Sequence, residues 1–145
     1  MKRLFPLIFM LTSAWLSSGQ TPEIMWWYDV DDSSFGNAGT GDIDNDGYLE
    51  IVFGCYRNDS NVYALNAEDG SLLWKNNLSG AYEGCNDAAP LVFDIDKDGF
   101  FEVVVAASCN PKTYCFYGST GDVKWVTDTY GSDYPPTVGS LNIRI

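Results

Sequence analysis

The chain has no histidine among its 145 residues. That removes the Ser-His-Asp triad, the Cys-His pair and the His-ligated zinc site as sources of activity. Basic residues are scarce as well: eight Lys and Arg against twenty Asp and Glu give a formal charge of −12. Charge of that sign repels a phosphate backbone and leaves no basic stripe, so nucleic acid is excluded as a partner. After the first twenty residues no apolar run is long enough to cross a bilayer, and no helix-length periodic segment occurs. The four cysteines show no metal-type CxxC spacing. What is present is material for a packed core, 46% apolar and 15% aromatic residues, in a length that suits one domain or a few short repeats.

The N-terminus has a plan of its own. Lys2 and Arg3 precede an apolar run from Leu4 to Leu16, followed by the small residues Ser17, Ser18 and Gly19. These are the three regions of a secretory signal peptide, and the run, interrupted by Pro6, is too short for a membrane span. Residues 1–19 are therefore expected to be removed, which takes the charge from −12 to −14 as Lys2 and Arg3 leave. No cysteine follows the run to take a lipid, so the expected destination is the periplasm or the extracellular space. There Cys55, Cys85, Cys109 and Cys115 meet conditions in which disulfides persist, and at least one is expected. Four cysteines allow three pairings. Cys109 and Cys115 flank a turn at Asn110, Pro111 and Lys112, and Cys55 and Cys109 are the nearest candidates for Cys85.

The sequence then repeats itself. Asp42-Ile-Asp-Asn-Asp-Gly-Tyr-Leu-Glu50 and Asp94-Ile-Asp-Lys-Asp-Gly-Phe-Phe-Glu102 agree at six of nine positions with an offset of 94 − 42 = 52. Downstream, Tyr63 answers Tyr114, Gly70 answers Gly121 and Trp74 answers Trp125, at an offset of 51. A period near 50 made of short β-rich runs and Gly-containing turns is the content of a propeller blade. The expected strands in the first unit are 37–41, 50–55, 61–66 and 71–75, with 88–93 opening the second. The fold class expected is all-β: two complete four-stranded antiparallel propeller blades, 37–84 and 85–133, with partial flanking blades. Residues 20–36 read as the last strand of a preceding or closing blade, because Trp27 stands 15 residues before Asp42 as Trp125 stands 15 before Ser140. Residues 134–145 open a further unit. Two blades cannot close a ring, so the sequence reads as the front of a longer propeller whose open faces favour self-association.

The acidic loops carry the clearest chemistry. Carboxylates at positions 1, 3 and 5 with Gly at 6 turn several oxygens onto one centre, as hard Ca²⁺ requires. An EF-hand would add an acid at position 12, where Phe53 and Val105 stand. The acid is at position 9 instead, which suits a calcium loop between two strands. The expected ligands are Asp42, Asp44, Asp46 and Glu50, then Asp94, Asp96, Asp98 and Glu102, with the carbonyls of Tyr48 and Phe100. Asn45 and Lys97 point outward. About two Ca²⁺ sites are expected, and Mg²⁺ is disfavoured by its demand for octahedral geometry and retained water.

The stretch from Gly41 to Gly54 and its partner at 94–106 resemble the FG-GAP/VCBS repeats of integrin α-chain propellers and many secreted bacterial proteins. Residues 61–75 are also similar to quinoprotein-type (PQQ-like) blades, and 114–125 are a poorer copy. The resemblance implies calcium in both loops; Ser140 and Asn142, standing where a third loop would begin, depart from the pattern.

Two functions follow as expectations. One is a non-catalytic, secreted, calcium-binding scaffold for adhesion to an extracellular protein or glycan, with Tyr56, Tyr82 and Tyr130 in loops where aromatics anchor partners. The other is part of a propeller enzyme, a quinoprotein dehydrogenase or a polysaccharide lyase. No cofactor constellation accompanies the second, and its only acid pair, Glu83 and Asp87, is an ordinary loop pair.

Overall fold

The computed structural model describes residues 22–78, 86, 88–108, 110–130 and 134–137. The expected signal peptide, Tyr82, Glu83, Cys85, Asp87, Cys109, Ser140 and Asn142 lie outside the described residues. Eight strands form two sheets. The first holds β1 (Gly39–Gly41), β2 (Glu50–Gly54), β3 (Asn61–Asn66) and β4 (Leu72–Asn77); the second holds β5 (Leu91–Phe93), β6 (Glu102–Ala106), β7 (Lys112–Tyr117) and β8 (Val123–Asp128). In both, neighbours in sequence are neighbours in the sheet, and every pairing is antiparallel. Even an irregularity recurs: the third and fourth strands slip register between Ala64 and Leu65, and again between Cys115 and Phe116, 51 residues on. The architecture is all-β, two four-stranded propeller-type blades. No helix occurs among the described residues, hence none long and apolar enough to cross a membrane.

One core joins the sheets. Ile43, Val52, Val62, Ala64 and Trp74 of the first meet Val103, Val105 and Phe116 of the second, all buried. Strand alternation explains the choice: in β3, Val62 and Ala64 point to this core, while Tyr63 turns to the other face and meets Tyr28 edge-on at 5.7 Å.

The joint between blades is an indole on a glycine turn. Trp74 of β4 lies over the turn between β7 and β8, and its Nε1 donates to the Gly118 carbonyl at 2.6 Å. A Cβ on Gly121 would stand 2.7 Å from Trp74 Cδ2, and φ there is +73°, so both space and backbone demand glycine. The same joint occurs one blade earlier. Trp26 covers Gly70 (φ +74°) and donates to the Ala67 carbonyl at 2.8 Å. Ala67 and Gly118 are 51 apart, as are Gly70 and Gly121.

This corrects the reading of Trp27, which is 75% exposed. Trp26 is the true counterpart of Trp74. Spacing counted back from an acidic loop crosses a connection of variable length, and a slip of one residue exchanges the two faces of an extended chain. Residues 22–36, expected as a strand, form none, because no described strand lies alongside to pair with them. They are tied to the first blade instead: Tyr56 N donates to the Ser33 carbonyl at 2.9 Å and Ser34 Oγ to the Gly54 carbonyl at 2.7 Å. Residues 134–137 also hold no strand.

Each blade grips the preceding segment through one buried side chain. Asp59 Oδ2 accepts from the Asp31 amide at 2.8 Å and Tyr63 Oη donates to the same carboxylate. At the equivalent place, 51 residues on, Asn110 Nδ2 donates to the Leu78 carbonyl at 2.9 Å and lies 2.9 Å from Tyr114 Oη.

The disulfide expectation is corrected for two cysteines. Cys55 and Cys115 are free thiols, both buried. One follows β2 and the other sits inside β7, opposite Trp125, so each packs in the interior of its own blade.

Candidate metal centre

The two acidic loops are the turns from β1 to β2 and from β5 to β6, at the same end of both sheets. In each the backbone goes left-handed at the fourth position, φ +63° at Asn45 and +64° at Lys97; asparagine adopts this region readily, whereas lysine takes it with no such advantage. The loops then fold around their own carboxylates. Gly47 N donates to Asp42 Oδ2 at 3.2 Å and Gly99 N to Asp94 Oδ2 at 3.0 Å. Glu50 and Glu102, first residues of β2 and β6, reach back beneath the loop, where one oxygen of each accepts the amide of Ile43 at 2.6 Å and of Ile95 at 2.9 Å.

Three carboxylates converge in each loop. Oxygens of Asp42, Asp44 and Glu50 lie within 4.8 Å of one another, and so do those of Asp94, Asp96 and Glu102. Six of the eight expected carboxylates are thus brought together. Asp46 and Asp98 are not; their Oδ1 atoms accept the amides of Tyr48 at 2.8 Å and Phe100 at 2.9 Å and hold the turn. The side chains of Tyr48 and Phe100 are exposed.

In the first loop, Glu50 is completely buried, and its Oε1 has no hydrogen-bond partner; neither has the buried Asp42 Oδ1. Burial raises the Glu50 carboxyl above the usual carboxylate range, and the negative charges of Asp44, Asp46 and Asp42 push the same way. Two orphaned anionic oxygens beside a third carboxylate are what a hard cation satisfies, so these residues fit a metal. Asp42, Asp44 and Glu50 would hold it, and the ion would supply positive charge that ties β1 to β2. Asp46 and the Tyr48 carbonyl remain expected contributors.

The second loop is different. Lys124 of β8 places its Nζ 2.6 Å from Asp96 Oδ2 and 2.7 Å from Glu102 Oε1. Its hydrogen bonds with Asp96 and Glu102 hold the ammonium charged well above the usual lysine range, and the same contact draws the Asp96 carboxyl down. Lys124 was not among the expected site residues. The signal was in the repeat: the residue before Trp125 is lysine where the residue before Trp74 is Leu73.

Residues 42–105, which span both loops, match the family model of FG-GAP-like repeats. Among solved structures, the chain is similar to a europium-containing methanol dehydrogenase, with 21% identity and a TM-score of 0.53 over 73% of this chain. The match covers 19% of the dehydrogenase, so the chain spans about a fifth of that protein's length. BamB from Moraxella catarrhalis aligns over 72% of this chain and 39% of its own at 19% identity, with a TM-score of 0.33. No curated protein sequence matches. The likeness to the dehydrogenase shows a propeller fold, and the FG-GAP-like match agrees with it.

Proposed function

We propose that this chain is a calcium-stabilised propeller module of a secreted or periplasmic protein, a non-catalytic scaffold that presents loops to an extracellular protein or glycan. One observation carries the metal part: the buried, unpartnered Glu50 Oε1 and Asp42 Oδ1 converging with Asp44. Leaving such oxygens without a cation costs free energy that a bound ion recovers. The FG-GAP-like match across the loops supports the same reading. The signal-peptide pattern and acidic charge support the destination.

Calcium should therefore raise the melting temperature and EDTA should lower it. At a hundredfold excess over Kd the stabilisation is about 2.7 kcal/mol, on the order of 10 °C for a domain of this size. Melting that is indifferent to both reagents overturns the reading.

The enzyme reading, part of a quinoprotein dehydrogenase or a polysaccharide lyase, draws on the likeness to a methanol dehydrogenase, which extends to the fold alone. A bound-quinone absorbance or turnover in a dye-linked alcohol assay would favour it over the scaffold.

A further inference from the structure

We infer that Lys124 is the resident cation of the second acidic loop, so that the chain takes up one divalent ion, at the first loop, and not two. The inference rests on the metal reading of the first loop and adds what decides between the copies.

The loops share three internal bonds, those of the Gly47 and Gly99, Tyr48 and Phe100, and Ile43 and Ile95 amides, and differ in a fourth, since Asp46 N donates to Asp44 Oδ1 where Asp98 N donates to Asp94 Oδ1. Glu50 Oε2 and Glu102 Oε2 both accept the amide of an isoleucine seven residues back. The other oxygen of each glutamate then meets a different fate. Glu50 Oε1 has no partner, whereas Glu102 Oε1 is held by Lys124 Nζ. The Lys124 side chain is 19% exposed and that of Glu102 1%, so this ion pair is largely withdrawn from water, where charge-assisted bonds are strong. A second bond to Asp96 fixes the ammonium between two of the three converging carboxylates. The position in the first blade belongs to Leu73, which packs against the apolar core and carries no charge.

A divalent ion in the second loop would need the oxygens that Lys124 now holds. It must displace an ammonium already paired twice, and Lys124 would be left beside a metal, cation against cation. The first loop imposes no such competition. Residue 73 or 124 thus sets whether a loop is filled from solution or from within the chain.

The test is titration of the EDTA-treated chain with calcium chloride, read by calorimetric stoichiometry and by the calcium-induced shift in melting temperature. Wild type should take up one ion. Asp44→Asn should abolish that uptake, and Asp96→Asn should leave it unchanged. Lys124→Met, which keeps the aliphatic stem, should gain a second ion, and Leu73→Lys should lose the first. The inference is overturned if Asp96→Asn removes a calcium ion from the wild-type count, or if folded Lys124→Met gains none. Should wild type bind no calcium, the reading of the first loop fails on its own; a new site in Lys124→Met would still uphold the role of Lys124, and no new site would refute it. If circular dichroism shows Lys124→Met unfolded, the contrast between Asp44→Asn and Asp96→Asn decides, and equal losses refute.

Discussion

Single residues in this chain are governed by whether a buried polar atom has a partner. The acidic loops were legible in sequence because four carboxylates in nine residues are a local pattern. Their inequality was not, since the group that distinguishes them comes from β8, 22 residues beyond Glu102 and across the sheet. The cysteines teach the same lesson: a secretory leader pattern suggests oxidation, but Cys55 and Cys115 are placed by packing. Burial pushes the Cys55 thiol up to about 12, with Asp59 nearby adding to the shift, and Cys115 to about 11, with Glu102 adding. Both folded thiols therefore hold their protons above the ordinary thiol value of 9.0. Their contribution to stability is fully present below that value and is lost as pH climbs toward 11 and then 12. Urea midpoints should fall across that window, and Cys55→Ser, Cys115→Ser should flatten the fall. At pH 8 both thiols should resist alkylation in the folded chain and react after unfolding, as peptide mapping by mass would record; rapid native labelling contradicts the packing described above.

At the scale of elements, the period-50 repeat made the strands legible. The third strand is observed at the expected residues, while the first strands shrink to three residues, 39–41 and 91–93. Short pairings at sheet edges depend on neighbouring sheets, which local propensity does not report. The joint between blades was legible only as recurring Trp and Gly, not as an indole on a turn, so spacing alone points to Trp27 where the joint uses Trp26. That joint predicts a ranking. Trp74→Ala, which empties a buried site and frees the Gly118 carbonyl, should cost about 3–5 kcal/mol. Gly121→Ala should cost about 1–3 kcal/mol, because the new methyl meets the indole and the φ is wrong for alanine. Trp125→Ala, at a site 40% exposed, should cost less than either. Urea denaturation of the three variants checks the order, and a Trp125→Ala penalty equal to that of Trp74→Ala would contradict the assignment of the joint.

For the whole molecule, the second blade shows on its far side what the first has covered. Trp125 is 40% exposed, whereas its counterpart Trp74 is 7% exposed. Apolar surface of this kind, at the rim of a sheet, favours association. Light scattering after size exclusion should find oligomers whose share grows with concentration, and Trp125→Glu should shift the chain toward monomer. A wild-type chain that stays monomeric at all concentrations would show that this face is tolerated in water.

The grips at Asp59 and Asn110 carry a consequence for how such an array can be rearranged. A carboxylate only accepts, so Asp59 suits an upstream peptide that offers its N–H, as Asp31 does. Asn110 meets the upstream peptide through its amide donor, and Leu78 presents a carbonyl. Transplant the first blade behind β4 and its carboxylate would face that carbonyl, acceptor against acceptor, inside the protein. The two units share a period and a topology without being interchangeable modules. Each junction contains one buried hydrogen bond whose sense differs between the units, so a permuted array that sets the Asp59 carboxylate against a carbonyl should be less stable than the native order.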